Sequence, residues 1–223
     1  QGETLLFDCG EGAQRQLRKS TQRFIVDRVF LSHLHLDHVL GLPGYLGTAA
    51  LLGQTDPMRI YAPKGTRPFL EAMLAWGGRT AFPVSIEEMD DGDVVKARGF
   101  RVIAARVDHL GPSLGFRVEE DARPGRVDVE KAAKLGLEPG PKMGELVRKG
   151  TVEVGGKVIR AEECVGPVRP GRSVVYSGDT RRCRTVVDLS RGADLVLHES
   201  TFLGDLADEA RSRGHATATD AAK

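Results

Sequence analysis

The sequence lacks a charge imbalance, long apolar runs and a cysteine framework. Lysine and arginine number 32 against 31 aspartate and glutamate residues, so the net charge is +1 and a polyanion can bind only at a local patch. No apolar run approaches the roughly 20 residues of a membrane span, and the N-terminal residues do not resemble a signal peptide. The three cysteines are odd in number and far apart, which argues against a disulfide framework and favours a reducing cytoplasm.

Both ends of the sequence resemble cut ends. The first residue is Gln1 rather than methionine, and a strand-like run begins almost at once, at residues 4–7. Residues 217–223 carry a threonine cap that is typical of the start of a helix rather than its end. We therefore expect a single domain over residues 1–223 that is truncated at both termini.

Strand-like and helical segments alternate along most of the chain. Apolar, β-branched runs at residues 27–31, 58–62, 173–177 and 193–197 predict buried strands, and a basic segment at residues 13–20 predicts a helix. This rhythm predicts an α/β fold of stacked layers. Residues 84–118 instead predict a meander of strands joined by tight turns.

Residues 120–166 differ from the rest in being rich in glycine, proline and charge. Their apolar residues are too few to predict a core of their own, so we expect an inserted arm that protrudes from the domain. Basic residues are frequent here, with acidic residues interspersed. On the residues alone, a solvated surface arm and a phosphate-binding arm are equally supported.

The strongest chemical signal lies in residues 31–38, where three of the six histidines and one aspartate follow a predicted strand. In an extended segment His33 and His35 point the same way and can share one ion. Asp37 and His38 are adjacent, so a turn must separate their side chains. Imidazole and carboxylate groups converging on one point suit zinc, and this geometry suits two ions better than one.

Other strand ends supply further candidate ligands. His109 lies between two strands of the predicted meander, and Asp179 follows a buried strand. The predicted ligands of the first ion are His33, His35 and His109, and those of the second are Asp37 and His38, with Asp179 shared between both ions. Two ions roughly 3.5–4 Å apart polarise a phosphoryl or carbonyl oxygen, so these ligands predict metal-assisted hydrolysis. Asp8 follows the first strand and is expected to be either a turn residue or a group that orients a metal ligand.

A leaving alkoxide needs a proton donor, and His215 is the candidate. Either Glu199 or its neighbour His198 is placed to orient and charge His215 through a hydrogen bond. In the ligand sets above, the second ion has one protein ligand fewer than the first. We expect its last protein ligand to lie beyond Lys223, consistent with the truncation expected above.

Together these motifs resemble those of ribonuclease Z, a family of the metallo-β-lactamase superfamily. The resemblance covers nearly the whole chain. The histidine motif alone indicates only the superfamily, whereas the Gly-Leu-Pro-Gly extension, the Gly-Pro-rich arm and the His-Glu-Ser-Thr box narrow it to the family. The segments that carry the resemblance are residues 5–12, 32–38, 41–44, 109–117, 176–180 and 198–202.

The resemblance implies a four-layer αββα metallo-β-lactamase sandwich and two zinc ions per full-length subunit. It implies an endonuclease that removes the 3′ trailer of precursor tRNA and leaves a 3′-hydroxyl. Asp37 would be both a zinc ligand and the proton acceptor of the attacking water, and His215 with Glu199 would assist the leaving 3′ oxygen. The arm would be the family's flexible exosite, which grips the tRNA elbow, usually from the partner subunit of a homodimer.

Two alternatives remain open from the sequence. The first is a superfamily relative that hydrolyses a small ester, as a phosphodiesterase, sulfatase or thiolesterase does. The second is a non-catalytic RNA-binding protein that keeps the fold. Relatives in the family have a further glycine-rich strand before Gln1 and a histidine-bearing segment after Lys223, so we expect the chain as given to bind the first zinc better than the second.

Overall fold

The computed structural model describes residues 2–20, 23–77 and 80–223. The chain forms two compact units, which we call the main unit (residues 1–118 and 173–223) and the inserted unit (residues 119–172). The strands are β1 Leu5–Phe7, β2 Arg28–Phe30, β3 Met58–Pro63, β4 Val84–Met89, β5 Val94–Ala97, β6 Phe100–Arg106, β7 Leu114–Glu120, β8 Thr151–Val154, β9 Lys157–Arg160, β10 Ser173–Tyr176 and β11 Leu195–Leu197. The α-helices are α1 Ala13–Ser20, α2 Leu36–Val39, α3 Gly41–Leu51, α4 Arg67–Trp76, α5 Val129–Lys134, α6 Pro141–Lys149, α7 Ala161–Cys164, α8 Arg184–Ser190, α9 Ala207–Arg213 and α10 Ala218–Ala221.

Two sheets form the centre of the main unit. The first is parallel, in the order β1-β2-β3-β4, and the second has the order β11-β10-β7-β6-β5. In the second sheet β10 and β11 are parallel, whereas β5 and β6 are antiparallel. The meander predicted for residues 84–118 is therefore wrong at its first strand, because β4 pairs with β3 in the other sheet.

The strand β2 and the residue after it show why the sheets stack. Val29 and Leu31 belong to a core that also includes residues of α3 and α4, whereas Phe30 packs with Phe116 on the other side of the sheet. The ring centroids of Phe30 and Phe116 are 5.5 Å apart. Side chains of a strand alternate between its two faces, so one strand serves both cores. With α8 against β6, the predicted αββα layering is confirmed.

The inserted unit has a core of its own. Its buried side chains come from three short helices, the segment after α5 and the antiparallel β8–β9 hairpin: Ala132, Leu137, Leu146, Val152, Ile159 and Cys164. The expectation that this segment has too few apolar residues for a core is therefore wrong. Widely spaced apolar residues converge because the helices and the hairpin fold back on each other, and a count along the sequence does not detect that.

The two ends of the inserted unit lie side by side. The amide of Glu120 donates to the carbonyl oxygen of Arg172 at 2.8 Å, and Arg123 and Arg169 exchange backbone hydrogen bonds of 2.8 and 2.9 Å. The first and last segments of the inserted unit therefore run side by side. Among residues 2–20, 23–77 and 80–223, no helix has both the length and the apolar composition needed to cross a membrane.

Candidate metal centre

Polar side chains cluster where the strands of both sheets of the main unit end. His33 follows β2 and is only 1% exposed. The chain remains extended at His35 (φ −64°, ψ 148°) and then forms the short helix α2, which carries Asp37 and His38. The turn that was expected to separate Asp37 from His38 is thus the first turn of a helix.

Four of the predicted ligands come together at this edge. Donor atoms of His33, His35, His109 and Asp179 all lie within 4.8 Å of one another. Nε2 of His109 is 3.1 Å from Nδ1 of His35, and Nε2 of His33 is 3.8 Å from Oδ2 of Asp179. His33 and His35 belong to the loop after β2, whereas His109 and Asp179 follow β6 and β10. Both sheets therefore contribute side chains to the cluster.

The donors of this cluster fit a metal ion. Nε2 of His33 is buried and has no hydrogen-bond partner within the described part of the chain. Burial, together with the neighbouring His38, lowers the pKa of His33 to about 4, so its imidazole is neutral. A buried nitrogen lone pair without a partner is costly unless it binds something, and neutral imidazole is a usual ligand of zinc.

A backbone carbonyl fixes the orientation of His109. The carbonyl oxygen of Gly214 can only accept, so Nδ1–H of His109 donates to it at 2.7 Å and Nε2 is left free as a ligand atom. Burial lowers the pKa of His109 and keeps the ring neutral. Gly214 has φ +82°, and a Cβ atom there would lie 2.8 Å from Nδ1 of His109. Only glycine suits this position.

Asp8 holds the other side of the cluster. Its carboxylate accepts from Nδ1 of His38 at 2.7 Å and from the amide and hydroxyl of Ser32, both at 2.7 Å. The hydroxyl of Tyr176 donates to Asp8 at 2.6 Å. Asp8 also has the left-handed φ of 57° that a tight strand-end turn requires. The two alternatives for Asp8 are therefore both met: it is a turn residue, and it orients a candidate ligand.

The second predicted set of ligands is more open. Nε2 of His38 lies 3.2 Å from Oδ2 of Asp179 and 3.7 Å from Oδ2 of Asp37, whose side chain is 78% exposed. Burial alone would lower the pKa of His38, but its hydrogen bonds to Asp179 and Asp8 outweigh burial and raise that pKa to about 10. His38 thus lies between two carboxylates, and Asp37 faces solvent.

Glu199 and His215 form a hydrogen-bonded pair beside Asp179. Nδ1 of His215 lies 2.9 Å from Oε1 of Glu199, which also accepts from the amide of Thr180 at 3.0 Å. A carboxylate cannot donate, so Nδ1 of His215 carries the proton and Nε2 is directed elsewhere. The alternative partner, His198, donates to the backbone carbonyl of Glu199 at 2.7 Å instead.

Sequence reasoning missed two residues of this site, Tyr176 and Gly214. Tyr176 lies on β10 three residues before Asp179, and its aromatic character indicates only a strand. Gly214 directly precedes His215 and indicates only a helix end. Gly214 accepts a hydrogen bond from the candidate ligand His109, whereas Tyr176 reaches His38 only through Asp8. No local pattern encodes such contacts across the fold.

Comparison with known proteins agrees with this geometry. Residues 3–126 match the family described as beta-lactamase superfamily domain. The ribonuclease Z of Methanosarcina acetivorans is 45% identical over 224 residues, which cover all of this chain and 73% of that protein. The ribonuclease Z of Myxococcus xanthus is 42% identical over 223 residues, covering 99% of this chain and 73% of that protein.

A solved structure gives the same result. The short form of human tRNase Z superposes with a TM-score of 0.65 at 28% identity, over 98% of this chain and 74% of the human one. The chain therefore spans about three quarters of the length of these relatives, and the match includes the inserted unit. The chain belongs to the ribonuclease Z family, the phosphodiester-hydrolysing endoribonucleases of the metallo-β-lactamase superfamily.

Proposed function

We propose that this protein is a zinc-dependent endoribonuclease that removes the 3′ trailer of precursor tRNA and leaves a 3′-hydroxyl on the tRNA. The ribonuclease Z relatives and the human tRNase Z structure support the substrate class. The observation that carries the chemistry is the cluster of His33, His35, His109 and Asp179, in which Nε2 of His33 has no hydrogen-bond partner among the residues that the structure describes.

The donor set supports zinc as the metal. Three imidazoles and one carboxylate within 4.8 Å are the nitrogen and oxygen ligands that zinc takes. In this proposal these four residues hold the first ion, and Asp37 and His38 hold the second, with Asp179 shared. Bound divalent ions supply polarisation of a phosphoryl oxygen and a lowered pKa for the attacking water.

Asp37 and His215 divide the proton transfers between them. Asp37 takes the proton of the water whose oxygen bonds to phosphorus, and its exposure leaves the carboxylate accessible to that water. The bond between phosphorus and the tRNA 3′ oxygen breaks, and His215 protonates that oxygen. Glu199 keeps Nδ1 of His215 protonated, so Nε2 is the atom that donates. The products are a tRNA with a 3′-hydroxyl and a trailer with a 5′-phosphate.

The inserted unit is proposed to bind the tRNA elbow. Arg126, Lys134 and Arg148 are exposed on it and have no ion-pair partner within the described part of the chain, so they are available to phosphates. The enzyme is further proposed to act in the cytoplasm as a homodimer whose partner subunit supplies this unit. Dimer formation is open to measurement by sedimentation at micromolar concentration.

Incubation with a 3′-extended precursor tRNA tests the proposal. We expect one cut at the end of the acceptor stem, with end mapping giving a 3′-hydroxyl on the tRNA, and loss of cutting when zinc is chelated. A small phosphodiester is assayed in parallel. Hydrolysis of that ester with no cut in any RNA would instead support the small-ester hydrolase and overturn the proposal.

A further inference from the structure

The helix α1 presents an unusual row of cations. Arg15, Arg18 and Lys19 are exposed, and their spacing of three and four residues places them on one face. The opposite face is anchored, because Ala13 and Leu17 pack against the first core. The helix contains no acidic residue. We call the row Arg15, Arg18 and Lys19 the α1 basic face.

These charges are not neutralised by neighbours. None of the three forms an ion pair within residues 2–20, 23–77 and 80–223. On α8 and α9, by contrast, exposed cations are paired: Arg184 with Asp188 at 2.9 Å, and Arg213 with Glu209 at 2.9 Å. The chain has a net charge of only +1, so the α1 basic face is a local positive patch rather than part of a global excess.

The α1 basic face begins beside the metal centre. The turn before α1 is joined to the ligand loop, because the amide of Cys9 donates to the carbonyl oxygen of His38 at 2.8 Å. Gly10 lies so close that a Cβ atom there would be 1.9 Å from the carbonyl oxygen of Asp37. An eight-residue helix rises about 12 Å, so the row lies within about two helical turns of the turn that contacts the ligand loop.

We propose that the α1 basic face contacts the phosphate backbone of the RNA duplex next to the scissile bond. This rests on the proposed function and deepens it. Phosphate contacts fix orientation without reading sequence, which suits an enzyme that must accept many tRNAs with different acceptor stems. The α1 basic face thus positions the acceptor stem near the cut, and the inserted unit acts on the elbow.

The test replaces all three residues, as Arg15→Gln, Arg18→Gln and Lys19→Gln together. A matched control removes three paired cations by Arg184→Gln, Arg191→Gln and Arg213→Gln. Binding is measured by fluorescence anisotropy in metal-free buffer, where the RNA stays uncut, from 50 to 200 mM salt. The probes are a 3′-extended precursor tRNA and a minihelix that has only its acceptor stem and trailer.

We expect the α1 variant to bind both RNAs about tenfold or more weakly at 0.1 M salt. The slope of log Kd against log salt should fall by about 2 to 3, since each lost phosphate contact removes about 0.7 to 0.9. In the control variant, log Kd and the salt slope should each change by no more than about half of the change expected for the α1 variant. Equal losses in both variants, or an unchanged salt slope in the α1 variant, would overturn the proposal, as would a wild-type chain that does not bind the minihelix.

Two further outcomes separate this proposal from the proposed function. If the wild type cuts no precursor tRNA but the α1 variant still loses minihelix affinity, the nuclease proposal fails and the RNA contact stands. If the α1 variant melts at a markedly lower temperature or hydrolyses a small phosphodiester more slowly than the wild type, the substitutions act through the ligand loop and the contact proposal fails.

Discussion

The main unit and the inserted unit each have a buried apolar core, but they differ in where their polar groups lie. In the main unit, histidines and carboxylates from both sheets converge, and Nε2 of His33 is buried without a hydrogen-bond partner among the described residues. The described residues of the inserted unit contain no cluster of three or more His, Cys, Asp or Glu side chains that could hold a metal ion. The difference supports our proposal that the chemistry belongs to the main unit, and the same proposal assigns tRNA binding to the inserted unit.

The two units also differ in how they maintain their geometry. The candidate metal centre needs its two sheets in register, because His33 and His38 follow the first sheet and Asp179 follows the second. The hydrogen bond from Tyr176 to Asp8 crosses between the sheets at that edge. The inserted unit closes on itself, and its ends meet at Glu120 and Arg172.

The largest expected effect comes from Asp37→Ala. Asp37 is the proposed proton acceptor, so its loss should reduce cleavage of precursor tRNA by about 10²- to 10⁴-fold. Affinity for the tRNA should stay within about twofold, because we propose that binding rests on other surfaces. Single-turnover cleavage and anisotropy measure the two quantities. Asp56→Ala removes another exposed aspartate of the main unit and should change neither. If the Asp37 variant lost tRNA affinity in parallel with cleavage, the proposed separation of catalysis from tRNA binding would be contradicted.

Leu146→Ala tests whether the inserted unit is independent. Leu146 is fully buried in that unit's core, so its truncation should destabilise the unit by about 2–5 kcal/mol. Hydrogen exchange should accelerate in residues 129–164 and remain unchanged in β2 and β3, and the rate on a small phosphodiester should not change.

Val158→Ala is the matched control for this substitution. Val158 lies on β9 of the same unit and is 63% exposed, so we expect an effect of about 0.5 kcal/mol or less. If Leu146→Ala accelerated exchange equally in both units, the two would form one cooperative body.

Tyr176→Phe should have a smaller effect, confined to metal affinity. It removes only the hydroxyl that donates to Asp8, and metal affinity should weaken by about 10-fold, the lower range for groups that orient a ligand. Tyr45→Phe also removes a buried hydroxyl, which accepts from the amide of Val26 at 2.9 Å in the other core, and should leave the affinity unchanged. Competition with a zinc chelator measures the affinity of each variant. A zinc affinity of the Tyr176→Phe variant equal to that of the wild type would show that the Tyr176 hydroxyl has no role in orienting a ligand.

The site was easier to predict from the sequence than parts of the fold. His33, His109 and Asp179 are polar residues a few positions beyond the ends of apolar strands. Strand ends of a layered fold meet at one edge, so local patterns suffice to predict their clustering. The pairing of β4 with β3 and the core of the inserted unit depend on contacts between distant segments. The orientation of His109 by Gly214 depends on a carbonyl 105 residues away in sequence. The metal and catalytic roles of these residues remain predictions.

The most direct test removes the inserted unit and measures both activities of the remaining chain. Because the amide of Glu120 and the carbonyl of Arg172 are 2.8 Å apart, a short Gly-Ser linker can replace residues 122–170 without moving the ends. We predict that hydrolysis of a small phosphodiester stays within about twofold of the wild type, whereas affinity for precursor tRNA falls by about 100-fold, as expected when several phosphate contacts are lost. A proportional loss of both activities would contradict the assignment of chemistry to one unit and binding to the other.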